Sequence, residues 1–177
     1  MLRKLGPWLM FVAALFVMSL GIALVTRGNL GTTPISSLPL VSSYASSLTF
    51  GETTFLINLL FVAAQWVLLR RSINKVLLLA QIPITLAFSY FIDTSMKFTE
   101  FLSSDVYWKC LAVSMLGNMV LGLGVALEVF SGAAALPGEG LVLAVSTVLH
   151  KPFSSVKIAN DVILVLLALL LSYFVFH

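Results

Sequence analysis

If residues 138 to 150 of this sequence form a helix, Glu139, Ser146 and His150 fall on one stripe, because steps of seven and four residues return to nearly the same face at about 100° per residue. A carboxylate, a hydroxyl and an imidazole on one line are groups that hold a polar or charged solute. The stripe has a counterpart 103 residues earlier, where Ser36, Ser43 and Ser47 share a line with Ser42 and Ser46 beside it. Two roles are open for these serines: bonds to their own helix backbone, or the lining of a solute path shared with the second stripe. Glu139 carries the sharpest expectation. An ionisable group deep in apolar sequence usually faces a cavity or a partner, the plain alternative being a carboxylate that caps the start of its helix. His150 stands beside Lys151 and Pro152, where an interfacial histidine is expected.

Other polar residues stand inside apolar runs. Asp161 is the only acidic residue in the last run, and the same offset places it opposite Asn58, with Gln65 seven residues further along that face. They either form a wall across from the two stripes or make interhelical hydrogen bonds. Lys157, four residues before Asp161, is a partner at helical spacing. Glu128 is expected at the end of its run near the inner surface, solvated or salt-bridged. The glycines and prolines of Gly31-Thr32-Thr33-Pro34 and Pro137-Gly138-Glu139-Gly140 are read as unwound backbone with amides free to hold a ligand. The candidate binding set is therefore Gly31, Thr32, Thr33, Ser36, Ser43, Asn58, Gly138, Glu139, Ser146 and Asp161.

These residues must be positioned by membrane-spanning helices. The chain is 60% hydrophobic and 10% charged, with a mean hydropathy of +1.09, far from soluble domains. Runs long enough to cross the roughly 30 Å hydrocarbon layer cover about 7 to 26, 53 to 69, 76 to 92, 110 to 129 and 154 to 176. Two shorter segments, 35 to 48 and 138 to 150, each reach only about 20 Å as helix. At the offset of 103, Gly21 falls on Gly124, Ala23 on Ala126, Pro34 on Pro137 and Phe50 on Phe153 without a gap. This is an internal repeat, with repeat one at about 7 to 92 and repeat two at about 110 to 176, the second lacking its third helix. Gly21, Ala14, Gly117, Gly122 and Gly124 have the sizes that let helix backbones approach.

Charge sets the expected topology. With the short segments re-entrant and the N-terminus cytoplasmic, Arg3, Lys4, Arg70, Arg71, Lys75, Lys151 and Lys157 lie inside, and Arg27, Lys97 and Lys109 outside, as the positive-inside rule asks. Trp8, Trp66 and Trp108 fit interfacial belts. The repeats are then inverted, and the two short helices start near the midplane. The connector from Asp93 to Lys109 is too short to fold alone. The lone Cys110 is expected to be a small buried residue. No nucleophile elbow, phosphate loop or paired-histidine motif is present, so neither enzyme activity nor a metal or other cofactor is expected. The modest charge of +3 gives no nucleic-acid footprint.

At Gly21, Ala23, Leu24, Leu30, Gly31 and Pro34, and at Phe-Ser-Tyr-Phe-Ile-Asp over 88 to 93, the chain resembles bacterial YczE/YitT-type multispanning membrane proteins. The resemblance implies the bacterial cytoplasmic membrane and a transport-like role, and carries no catalytic residues. The expected architecture is an all-α integral membrane protein, a single membrane domain over 1 to 177, with five transmembrane helices and two re-entrant half-helices in an inverted repeat. The expected function is transport or channelling of a small polar or anionic solute in the lipid bilayer. The alternative is a non-transporting subunit that scaffolds a partner. A homodimer would cover the face left by the absent third helix.

Overall fold

The computed structural model describes residues 2–69 and 75–176. Arg70, Arg71 and His177 lie outside the described residues, as do the side chains of Arg3 and Lys4. Among the described residues the protein is helical throughout, without strands. The helices are α1 (Leu2–Arg27), α2 (Pro34–Ala45), α3 (Phe50–Leu69), α4 (Lys75–Phe98), α5 (Tyr107–Ser131), α6 (Pro137–Leu149) and α7 (Phe153–Phe176), with one 3-10 turn at Glu100–Leu102. Five of them, α1, α3, α4, α5 and α7, are long and apolar enough to cross a membrane. The chain reads as a multi-pass membrane protein.

Local chemistry sets the helix starts. Pro34 and Pro137 occupy first-turn positions, where a missing N–H costs nothing. The helix α3 begins at Phe50, ahead of the expected 53, because Thr49 and Glu52 form a reciprocal capping box. The Thr49 N–H donates to Glu52 Oε2 at 2.8 Å, and the Glu52 N–H to Thr49 Oγ1 at 3.1 Å. Gly132 closes α5 in the left-handed conformation at φ 57°. The connector expected from Asp93 is helical as far as Phe98. Its polar residues alternate with a buried face there: Ser95 and Thr99 are both inside, Ser95 facing Ser19 of α1 and Thr99 bonding the Ser95 carbonyl.

The contacts divide into two compact units. The first joins Met1–Thr33 to Phe88–Ala134 and is built on α1 against α5. These two helices run antiparallel with their glycines at the seam. A Cβ added to Gly21 would lie 2.5 Å from the Leu121 backbone nitrogen, and one on Gly124 would lie 2.7 Å from that of Met18. Shifting by 103 residues turns the first contact into the second, so each helix offers the same surface to the other. Gly117 meets Val25 in the same register. Gly122, expected among the packing glycines, has nothing within 4 Å. The end of α4 lies along α1 in a parallel sense: Phe91 packs on Phe16, Ser95 sits 3.2 Å from Ser19, and the Arg27 guanidinium donates to the Met96 carbonyl at 2.8 Å.

The second unit comprises Pro34–Ala87 and Ala135–His177. Here α2 packs on α3 and α7, and α6 on α3 and α7. The starts of α2 and α6 are 103 residues apart, as are those of α3 and α7. With 12 and 13 residues, α2 and α6 are about 18 and 20 Å long.

The glycine seam gives a test by thermal unfolding in detergent. Gly124→Val drives two methyls into the Met18 backbone and should destabilise by about 1–3 kcal/mol, whereas Gly122→Ala should leave the midpoint unchanged or raise it. Equal effects of the two substitutions would contradict the packing described.

Candidate functional site

The second unit brings the starts of the two short helices together. Gly138, the second residue of α6, is buried, and a Cβ there would collide with Cδ1 of Ile35 at the start of α2 and stand 3.8 Å from Phe61 Cε2. Gly138 and Gly140 are helical rather than unwound, and neither has a positive φ. Their lack of a side chain serves close approach. Only Gly31, at φ 128°, has the left-handed backbone expected of these glycines. With Asn29 at φ 53°, it turns the chain out of α1.

On the other side of Gly140 lies a pair of amides. Gln65 Nε2 donates to Gln81 Oε1 at 3.0 Å, and Gln81 Nε2 returns a bond to Gln65 Oε1 at 3.2 Å. The Gln65 amide also donates to the Pro137 carbonyl at 3.1 Å. A Cβ on Gly140 would lie 2.6 Å from Gln65 Oε1 and 3.0 Å from Gln81 Nε2, so the glycine makes room for the pair. Gln65 is only 3% exposed. A reciprocal amide pair in apolar surroundings fixes α3, α4 and the first turn of α6 to one another, and breaking it strands polar groups away from water.

Glu139 follows Gly138 in that first turn and is half-buried. Leu136, the N-cap, supplies no side-chain cap, and the carboxylate forms no ion pair or side-chain hydrogen bond among the described residues. Asn58 is buried on the α3 stripe that also carries Thr54, Val62 and Gln65, as its seven-residue spacing from Gln65 predicts. Ser36 is buried near the start of α2.

The remaining candidates are placed differently. Ser43 donates to the Leu40 carbonyl at 2.7 Å, and Ser42 and Ser46 likewise bond carbonyls of their own helix. Each of these hydroxyls has thus spent its proton and presents only lone pairs outward. Ser146 donates to the Lys151 carbonyl at 2.6 Å, fastening the end of α6, where His150 takes the left-handed φ of 54°. Asp161 is held by Lys157 at 2.8 Å, the pairing their four-residue spacing implies. Gly31, Thr32 and Thr33 belong to the first unit.

Two residues differ from expectation or escaped it. Glu128, expected to be solvated or salt-bridged at its helix end, is 3% exposed, so it is not solvated. Its place at the offset of 103 is that of Val25, also buried, so the shared seam of α1 and α5 carries it inward. Gln81 carried no signal, since α4 read as an ordinary apolar span. Cys110 is buried as expected, its thiol toward the Ser104 carbonyl. No group of three or more metal-ligating side chains occurs among the described residues.

The amide pair is open to a double-mutant cycle. Gln65→Leu should destabilise by about 1–3 kcal/mol because it strands Gln81 and the second lone pair of Pro137. The further change Gln81→Leu should cost much less than it does alone, a coupling above about 0.5 kcal/mol. Additive losses in thermal unfolding would contradict the pairing.

Neither the curated proteins nor the solved structures contain a match to this chain. Residues 5–177 match a protein family described as a family of unknown function, DUF6198. A match over nearly the whole length of the spans and both short helices makes the chain a member of the DUF6198 family.

Proposed function

We propose that the chain is a small inverted-repeat membrane transporter or channel that moves a small polar or anionic solute past the facing starts of α2 and α6. The observation that carries this reading is the packing of Gly138 against Ile35, which puts two helix starts beside each other inside one unit. Each start has unpaired N–H groups and about half a positive charge, and such paired termini serve anionic groups in secondary transporters.

The helix directions support the inverted topology. A parallel α1 and α4 need an odd number of crossings between them, and α3 supplies one. If α2 also crossed, α4 would run against α1. With α2 re-entrant, the antiparallel α5 follows, and the exchanged contacts of Gly21 with Leu121 and Gly124 with Met18 fit a two-fold relation between repeats. The pairing of α2 with α7 and of α6 with α3 has the same form. The charge distribution then favours a cytoplasmic N-terminus. The likeness to YczE/YitT-type proteins accords with a transport-like role in a bacterial cytoplasmic membrane.

Glu139 is the regulating group in this reading. Ser37, Ser42 and Ser43 of α2 spend their protons on their own backbone, so in this reading an anion is gripped chiefly by backbone amides and by hydrogen-bond donors such as Asn58. An ionised Glu139 in the first turn of α6 repels an anion held there, and neutralising it removes that repulsion. Ile35 and Phe61 stand over Gly138, and in this reading they must move aside for a solute to pass.

Acetate, nitrate and phosphate titrated into purified protein at several pH values should bind more tightly on the acid side. Glu139→Gln should hold binding in its tight form across the range, a gain of about tenfold or more at the alkaline end, the scale of one removed like charge a few ångströms away. Binding of cations or neutral solutes alone, or an unchanged pH dependence in Glu139→Gln, would defeat the proposal.

A further inference from the structure

An open groove of about 400 Å³ runs between α6 and α7 in the second unit, away from the amide pair. That volume is in the range of ligand sites, roughly 300–1,000 Å³. Its walls are apolar, formed by Val142 and Val145 of α6 and Val156 and Ile163 of α7. Three polar side chains break this lining: Lys151 and Ser155 are exposed toward one end, and Asn160 stands deeper. Lys151, in the short connection between the helices, is exposed at one end and has no ion pair among the described residues. Asn160 lies seven residues into α7, roughly 10 Å along its axis. Its Nδ2 is buried and has no hydrogen-bond partner among the described residues.

Each feature asks for a different piece of one molecule. The ammonium at the rim requires an anion. The amide donor inside requires an uncharged acceptor, since an anion carried that far into an apolar groove loses its hydration. A water there would need two or more polar partners, and Ser155, the other polar side chain of α7 in the lining, lies five residues nearer the exposed end. Beyond Asn160 the lining is apolar and suits only a hydrocarbon chain. A phosphate, an ester carbonyl a few bonds below it and an acyl chain occur in this order in a glycerophospholipid. The end of a spanning helix also places Lys151 at headgroup level, where anionic lipids give one lysine a favourable interaction.

We infer that the groove between α6 and α7 is a binding site for an anionic glycerophospholipid of the surrounding bilayer, its phosphate on Lys151, its ester carbonyl on Asn160 Nδ2 and its acyl chain along Val142, Val145 and Ile163. The occupant gives Asn160 Nδ2 the acceptor it lacks and fills the space between the short helix and its spanning neighbour. This site is independent of the solute reading, because it lies on the flank of α6 and involves neither Glu139 nor the Gln65–Gln81 pair.

Native mass spectrometry of the purified protein with added palmitoyl-oleoyl phosphatidylglycerol, with the phosphatidylcholine of the same chains, and with inorganic phosphate alone tests it. The expected result is one retained phosphatidylglycerol per chain, held more tightly than phosphatidylcholine, and no retained phosphate. Lys151→Gln, an exposed and structurally mild change, should weaken phosphatidylglycerol about fivefold and abolish the headgroup preference. Asn160→Leu should weaken both lipids, and Val145→Trp should displace both by filling the groove. A circular dichroism melt within a few degrees of the parent confirms folding for each. Equal retention of the two lipids by the parent, retention unaffected by Lys151→Gln and Asn160→Leu, or capture of phosphate without lipid would each overturn the assignment.

Discussion

A helix of 12 or 13 residues falls short of the apolar thickness of a bilayer, and that shortfall organises the molecule. At about 18–20 Å, α2 and α6 are shorter than the roughly 30 Å hydrocarbon layer, and a backbone polar group within such a layer is not tolerated without a partner. The protein supplies the partners from α3. Thr53 donates to the Pro39 carbonyl in α2 at 2.8 Å, and Gln65 to the Pro137 carbonyl in α6 at 3.1 Å. Both bonds are buried, and both use a second lone pair on a proline carbonyl. One spanning helix thereby holds both short ones, which explains why its buried face carries Thr53 and Gln65 where an ordinary span would carry leucine.

The first unit meets a different demand, close approach of two long helices in an environment where lipid tails are as apolar as side chains. Packing must then come from shape. The glycines of α1 and α5 provide it through the same contact made twice, with Met18 and Leu121 seated on the partner's glycine. More than half of the α1 span is buried, against 11% for α7. The exposed character of α7 leaves a flank on which the groove beside α6 can be filled from the bilayer.

Much of this was legible in the sequence for a physical reason: proline and glycine act locally. Pro34 and Pro137, with Phe50 and Phe153, mark the helix starts at a constant offset, and the seam glycines Gly21, Gly117 and Gly124 declare themselves by size. The pairing of Lys157 with Asp161 follows from helical spacing. Side-chain hydrogen bonding was legible only as a choice. The serine face of α2 is real, but the direction of each proton is fixed by the nearest carbonyl, and periodicity carries no information on that. Gln81 was invisible because its meaning lies entirely in meeting Gln65 across a helix pair. The burial of Glu128 was missed since a position near a helix end reads as solvated until the partner helix is placed against it. Gly138 and Gly140, read as loosened backbone, are tight contacts; a glycine beside a proline is consistent with either, and only the Ile35 and Gln65 side chains decide.

The re-entrant path of α2 is the claim on which the opposed helix starts, the inverted repeat and the solute path all rest. In a Cys110→Ala background, single cysteines at Leu30, before α2, and at Leu48, after it, are both exposed and report the side of the membrane on which each end lies. Labelling of intact cells with a membrane-impermeant maleimide should modify both, while a cysteine at Lys75, across α3, reacts only after the membrane is opened. Labelling of Leu30 and Leu48 from opposite sides would mean that α2 crosses, and the account would fail.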